Sequence, residues 1–244
     1  MNVKLWELTW QEVKALVPDR VKGVFLPVGT MEAHGVIPQG TDTIIPLELS
    51  LKLAEEMSCL VAPPIYYGIT NSLLGYPGSM RISSELFTEY LVEILLGLSD
   101  IGFEYIVVMN GHGGQSREIK DAIKDAYLIC GTKMIGVEWW ILCQAITEDF
   151  WGEAGGHAGL DETAMIMAIY PELVHRDTYT DDMCVLIKQG VRAYPAPGPI
   201  LLYKNGEGAP KWGEDKSKEY FERVKEAVKV EIERVRDGWR KMGL

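Results

Sequence analysis

The sequence predicts an α/β fold with a mostly parallel central sheet and helices on both of its faces. Short runs of consecutive apolar and β-branched residues, such as Val21 to Gly29 (VKGVFLPVG) and Tyr105 to Met109 (YIVVM), have the pattern of strands buried on both sides. They alternate along the chain with segments of helical periodicity, the arrangement that builds parallel sheets. Two histidine motifs also follow directly behind those strands, and sites in such sheets form at the carboxyl ends of strands. A length of 244 residues suits one large domain over 1–244 better than two small ones.

A first helix is expected from Leu8, with Thr9 and Glu12 spaced as a capping box ahead of Val13, Leu16 and Val17. After the strand at Val21 to Gly29, Thr41 to Met57 has helical periodicity, and Pro46 is tolerable there only in the first turn. Leu60 to Tyr67 is a second strand, placed at an edge or a strand end by Pro63-Pro64. Ser84 to Leu98 reads as an amphipathic helix, Tyr105 to Met109 as the central strand, Ser116 to Leu128 as a helix and Lys133 to Trp139 as a strand. Glu162 to Ile169 reads as a helix ending before Pro171. Residues 185–213, rich in glycine and proline, are expected to form loops or a short hairpin, and Asp215 to Met242 a long outer helix packed on the sheet. There is no internal repeat, low-complexity tract or linker.

A hydrophobic content of 47% with 24% charged residues is enough to bury a full core. The net charge of −11 argues against nucleic acid or an anionic membrane as a partner and leaves a small molecule. Cys59, Cys130, Cys143 and Cys184 form no CxxC pair, which points to reduced thiols and a metal site free of thiolates. The N-terminal segment has no signal-peptide core and no apolar run approaches a membrane span, so a cytoplasmic protein is expected.

Three of the four histidines sit in glycine-flanked motifs accompanied by carboxylates. Imidazole with carboxylate is the ligand mix of hydrolytic Zn, Mn and Fe sites. In Glu32-Ala33-His34-Gly35, an extended backbone points Glu32 and His34 the same way, and Asp42 follows close enough to bridge two ions. The alternative is a solvated Glu32 and an Asp42 that caps the helix ahead of Ile44-Ile45. Asn110-Gly111-His112-Gly113-Gly114-Gln115 is a strand-to-helix turn that offers either a ligand or a phosphate cradle, and the absence of a P-loop lysine disfavours the latter. In Gly156-His157-Ala158-Gly159-Leu160-Asp161-Glu162, positions 157 and 162 lie about 140° apart on a regular helix, so they share a site only if His157 precedes the helix. Asp161 is the plainer first-turn carboxylate, favoured by the helix dipole. The aromatic group Trp139, Trp140, Phe150 and Trp151 suits core or subunit contact better than a pocket wall. His175, in Val174-His175-Arg176, lacks such a setting and stands apart.

Taken in order, these motifs resemble the creatininase family of metal-dependent amidohydrolases, which includes formylaminopyrimidine deformylases. The similar stretches are Pro27 to Gly35 with Gly40-Thr41-Asp42-Thr43, Asn110 to Gly114, and His157 to Thr163. Weaker echoes are Tyr67-Gly68, Tyr76-Pro77-Gly78 and Tyr170-Pro171-Glu172-Leu173. The resemblance implies a three-layer α/β/α fold, one or two divalent ions (Zn, Mn or Fe) and a homo-oligomer, often a hexamer. By position it implies that Glu32, His34, Asp42 and His112 are metal ligands, with Asp42 the bridge. It makes His157 the catalytic histidine and Glu162 either a ligand or the acid/base. Gly114 stands where creatinine hydrolases carry a glutamate for the second metal, which points away from creatinine as substrate.

The expected activity is hydrolysis of a carbon–nitrogen amide bond, in a cyclic amide or a formamide, by a metal-activated water. The ion brings the water's pKa from about 15.7 towards 7, and His157 protonates the leaving nitrogen or steadies the oxyanion. Two rivals are a metal-dependent phosphatase or cyclohydrolase-like enzyme, for which Arg81 and Arg117 are the available cations, and a non-catalytic binding protein with a degenerate metal site.

Overall fold

The structure, a computed structural model, describes residues 2–244. Its main sheet has four parallel strands, β1 (Gly23–Val28), β2 (Leu60–Val61), β3 (Tyr105–Asn110) and β4 (Lys133–Glu138), in the order β2-β1-β3-β4. The helices around it are α1 (Trp10–Leu16), α2 (Thr41–Met57), α3 (Ser84–Ile101), α4 (Ser116–Cys130), α5 (Trp139–Leu142), α6 (Gln144–Trp151), α7 (Leu160–Ile169) and α8 (Glu214–Met242). Alternate strand residues feed two cores, because successive side chains point to opposite faces of a sheet. Phe25, Val107, Met109, Ile135 and Val137 pack with buried residues of α2, α7 and α8. Val24, Leu26, Val28, Ile106 and Val108 pack with Phe87, Leu91 and Leu95 of α3 and with Ile119, Ala122 and Ala126 of α4. Every residue of β1 and β3 is buried, which is why both read as unbroken apolar runs.

Local chemistry sets the ends of the elements. The Thr9 amide donates to Glu12 Oε2 (2.7 Å) and the Glu12 amide to Thr9 Oγ1 (3.3 Å), closing the capping box of α1. α3 and α4 end at Gly102 (φ +108°) and Gly131 (φ +74°), in the left-handed conformation that glycine adopts at low cost. β2 is an edge strand cut to two residues, because Pro63 and Pro64 supply no ladder donors.

Pro46 lies beyond the first turn of α2, contrary to the expectation. It has no N–H to offer the Asp42 carbonyl four residues back. The backbones of Gly29 and Gly111, at the ends of β1 and β3, pack so tightly on that carbonyl that a Cβ at either position would overlap it. Proline and the two glycines therefore lock the first turn of α2 onto the strand ends.

Residues 185–213 also depart from the expectation of loops or a hairpin. β6 (Cys184–Leu186) and β7 (Ile200–Leu202) pair in parallel, and β7 pairs antiparallel with β5 (Gly156–His157), giving a second sheet in the order β5-β7-β6. Three-residue strands between glycine and proline segments are too short to show a period, and a parallel pair cannot be a hairpin. α7 begins at Leu160 rather than Glu162; it is buried from Leu160 to Met167 and shows no polar stripe by which to read its start. Of the aromatic group, Trp139 and Trp151 are core residues and Phe150 stacks on Tyr220 at 5.6 Å. No helix among the described residues is long and apolar enough to cross a membrane, and all four cysteines are free thiols.

The glycine contacts give a paired prediction. Gly111→Ala is expected to lower stability by about 1–3 kcal/mol through its clash with the Asp42 carbonyl. Gly97→Ala, in α3 with nothing within 4 Å of the added methyl, is expected to raise it by about 0.5–1 kcal/mol. Urea midpoints of the two variants, compared with the parent chain, check both signs.

Candidate metal centre

Six side chains gather beyond the carboxyl ends of β1 and β3. Glu32 and His34 come from the segment after β1, Asp42 from the first turn of α2 and His112 from the turn after β3. His157 is the last residue of β5, and Glu162 lies in the first turn of α7. His157 thus precedes its helix, and the left-handed Ala158 (φ +52°) turns the chain between them. That placement brings His157 and Glu162 to one site despite their spacing. Glu32 and Asp42 are each 2% exposed, so neither is a solvated carboxylate, and the helix cap position belongs to Gly40 rather than to Asp42. His175 is exposed and apart from the cluster.

Each of the three histidines has one ring nitrogen on a main-chain carbonyl. His34 Nδ1 lies 2.8 Å from Glu32 O, His112 Nε2 2.9 Å from Ile69 O, and His157 Nε2 2.9 Å from Ala33 O. A carbonyl only accepts, so each of these nitrogens carries the proton and donates it. The opposite nitrogens then turn their lone pairs on the carboxylates. His34 Nε2 is 2.9 Å from Asp42 Oδ1 and 3.8 Å from Glu162 Oε2. His112 Nδ1 is 2.9 Å from Asp42 Oδ2 and 3.1 Å from Glu32 Oε1. His157 Nδ1 is 3.6 Å from Glu32 Oε1, and its ring stacks on His34 with centroids 4.4 Å apart.

Lone pairs that face carboxylate oxygens at these distances need a cation between them. Asp42 Oδ2 is buried and has no donor unless the facing His112 Nδ1 is protonated, which fits that need. Imidazole nitrogens and carboxylate oxygens gathered this closely are a donor set that would suit a divalent ion. The donor atoms form three groups placed to bind metal ions: Glu32, Asp42 and His112; His34, Asp42 and Glu162; and Glu32, His34 and His157. Asp42 belongs to the first two, one oxygen directed to each.

In the protein alone, protons supply the positive charge. Burial opposes ionisation of His34, but Asp42, Glu162 and Glu32 outweigh it and raise its pKa to about 10. His112 is raised well above the usual histidine range in the same way, against burial, by Glu32 and Asp42. Burial works against the charge of Asp42 and Glu32, yet the adjacent histidines hold both below the ordinary carboxylate range. Burial, followed by the charge of His34, depresses His157 to about 4, so its ring is neutral at pH 7. Burial pushes Glu162 up to about 8, while its Oε2 accepts a 2.6 Å hydrogen bond from the Ala158 amide.

Glu32, Asp42, His112, His157 and Glu162 line the base of a cavity of about 810 Å3, and His34 is buried behind them. Trp140, Leu73 and Leu201 give the cavity apolar wall, and Arg117, Arg192 and Lys204 also line it. Sequence reasoning found all six residues of the cluster and named Arg117 among the available cations, but not Arg192 and Lys204, which lie far along the chain from every motif. It also treated Asp161 as an ordinary first-turn carboxylate. Asp161 is buried, lines the cavity, and accepts a 3.0 Å hydrogen bond from the Gly156 amide, which ties the turn before α7 together. The three carbonyl anchors have no sequence signal, because any residue type carries a carbonyl.

Known proteins resemble this chain over most of its length. The family model described as creatinine amidohydrolase matches residues 6–224. The chain is 29% identical over 199 residues to the creatinine amidohydrolase of Pseudomonas putida, covering 74% of this chain and 76% of that one. It is 32% identical over 170 residues to the 3-dehydro-scyllo-inosose hydrolase of Thermotoga maritima, covering 65% of this chain and 53% of that one, so it spans about half of that relative's length. It is 30% identical over 182 residues to the mycofactocin precursor peptide peptidase of Mycolicibacterium smegmatis, covering 72% and 66%. Among solved structures, a creatininase variant in its Zn–Zn form superposes with a TM-score of 0.83 at 24% identity over 95% of this chain and 97% of that one. A manganese creatininase gives 0.82 at 24% identity over 95% and 98%. At that identity the superposition establishes the α/β fold, and the family match over residues 6–224, which takes in all three histidine motifs, establishes that the chain belongs to the creatininase family.

Proposed function

We propose that this chain is a metal-dependent hydrolase, a single creatininase-like domain over 1–244, that cleaves a carbon–nitrogen amide bond in a small molecule such as a cyclic amide or a formamide. The observation that carries the proposal is the common orientation of the three histidines, each tied by N–H to a carbonyl with its lone pair on a buried carboxylate. Glu32, Asp42 and His112 would hold one divalent ion, and His34, Asp42 and Glu162 a second, with Asp42 as the bridge. Zn, Mn or Fe suits this oxygen and nitrogen set. When bound, the ions supply an acidified water and an electrophile for the substrate carbonyl.

His157 is assigned to proton transfer rather than to metal holding. Its Nδ1 is the most distant of the three lone pairs from its carboxylate, at 3.6 Å, and its ring borders the cavity. Being neutral, it accepts a proton from the attacking water and returns it to the leaving nitrogen. If only one ion binds, Glu162 is free to act as the second acid/base, and burial favours its protonated form. A Cβ at Gly114 would run into His112 Nε2, so the His112–Ile69 hydrogen bond occupies the place of the missing glutamate side chain. This argues for a substrate other than creatinine.

A second reading keeps the metal centre and changes the substrate to a phosphate ester. Arg117, whose link to Asp121 is a loose 3.8 Å, and Arg192 line the cavity and could meet an anion. The exposed Leu86 and Tyr90 on α3 and Tyr127, Leu128 and Ile129 on the neighbouring α4 support a homo-oligomer. The free thiols support a cytoplasmic location.

Metal analysis of protein purified without chelator, with an activity screen over lactams, formamides, short peptides and phosphate esters, tests the proposal. Bound metal with amide turnover supports it, phosphate-ester turnover alone favours the second reading, and metal content near zero leaves a non-catalytic binding protein. His34→Ala is expected to lose metal and activity together. His157→Ala is expected to retain metal while kcat falls by about 10²–10⁴; an undiminished kcat would overturn its assignment. Chelation is expected to destabilise the fold. Free metal at 100 times Kd adds about 2.7 kcal/mol, so reloading should raise Tm by roughly 5–10 °C, read by calorimetry.

A further inference from the structure

Behind His112 lies a side chain outside the ligand and proton-transfer roles. Gln115 is fully buried at the start of α4. Its Nε2 donates to Asn110 Oδ1 (3.2 Å) and to Gly29 O (3.3 Å), and its Oε1 accepts from the Ile69 amide (3.3 Å). One carboxamide therefore joins the end of β1, the end of β3 and the segment around Ile69. Ile69 O is the acceptor for His112 Nε2–H, so Gln115, by holding the Ile69 amide, steadies the residue whose carbonyl orients the His112 ring. Asn110 adds a second link, because its Oδ1 also accepts from the His112 amide (3.0 Å) and its Nδ2 donates to His112 O (2.9 Å).

The surroundings fit this carboxamide closely. A Cβ at Gly68 would overlap Gln115 Oε1, and one at Gly114 would overlap His112 Nε2. Thr30 and Thr70, with hydroxyls 3.1 Å apart, tie the next residue of the segment to the chain that follows β1. Gln115 thus satisfies the Gly29 carbonyl and the Ile69 amide and shares Asn110 Oδ1 with the His112 amide, and burial makes such groups costly to strand.

We infer that Gln115 is a positioning residue for the metal centre, orienting His112 through Ile69 and Asn110 so that Nδ1 faces Glu32 and Asp42. The inference rests on His112 being a ligand, and it needs no assumption about the bond that is cleaved. Outer partners of ligating histidines are worth about 10–100-fold in metal affinity.

Two variants test it. Gln115→Met keeps the length and removes the amide. Gln115→Glu keeps an acceptor for the Ile69 amide but sets oxygen lone pairs against Gly29 O and Asn110 Oδ1. Zinc is titrated into the metal-free variants against a chromophoric chelator, and the ring N–H resonances of the histidines are read from 1H–15N spectra. The expected result is a roughly 10–100-fold loss of affinity at the site that includes His112, with the hydrogen-bonded Nε2–H resonance of His112 displaced while the ring N–H resonances of His34 and His157 keep their positions. A structural role alone would lower Tm without that selective change. Folded variants with parental zinc affinity and an unaltered His112 Nε2–H resonance overturn the inference. Should neither variant fold, the parent chain decides: zinc must shift the Gln115 carboxamide resonances, and resonances that do not respond overturn it. A displaced His112 Nε2–H resonance in the variants of a chain that binds no zinc sustains the role of Gln115 and sinks the proposed metal-dependent activity instead.

Discussion

Glu32, Asp42 and Glu162 place three carboxylates in a pocket nearly closed to water, where unpaired charge is very costly, and the rest of the centre answers that constraint. Compensation comes from histidines held in one orientation. Protons on His34 and His112 meet the need in the chain alone, and a divalent ion meets it by replacing them. The direction of each ring is set by main-chain carbonyls rather than by the carboxylates. The lone pairs are therefore aimed whether or not a cation is present, a form of preorganisation built from the backbone.

Preorganisation depends in turn on how rigidly those carbonyls are carried. Glu32 and Ala33 follow β1, a strand buried on both faces, and Ile69 is tied back to the ends of β1 and β3 through Gln115. Asp42 is seated by a backbone contact: Pro46 leaves its carbonyl without a helical donor, and Gly29 and Gly111 close on that carbonyl from two strand ends. The small sheet of β5, β7 and β6 brings in the remaining histidine, since the pairing of His157 with Leu201 sets where its ring stands. The large sheet thus carries the putting-together of the proposed ligands, and the small one carries the group assigned to proton transfer.

The relatives divide along the same lines. Their names concern creatinine, an inosose and a precursor peptide, so family membership speaks for a shared hydrolytic framework more than for one substrate. In this chain the cavity wall combines Trp140, Leu73 and Leu201 with Arg117, just after the second histidine motif, and with Arg192 and Lys204 from segments remote from all three motifs. Selection of a substrate by such walls is a matter of shape and charge around a common base.

The parallel sheet, the capping box at Thr9, the bounds of α2 and the six residues of the buried cluster were all legible in the amino-acid sequence. Each rests on a local rule: β-branched runs between helical periods, a side chain three residues from its cap, histidine among glycines with a carboxylate near. Other features were out of reach because they depend on contacts between distant segments. The β6–β7 pairing joins strands of three residues, too short for any period to show. The start of α7 is hidden by burial on all sides, and the location of Pro46 past the first turn is tolerated only because two remote glycines cover the carbonyl it leaves free. Sequence alone determined which residue types form the centre, since ligand chemistry is a property of side chains. Tertiary structure decided which nitrogen of each histidine faces inward, because that choice belongs to carbonyls at Glu32, Ala33 and Ile69, and a carbonyl leaves no mark in a sequence.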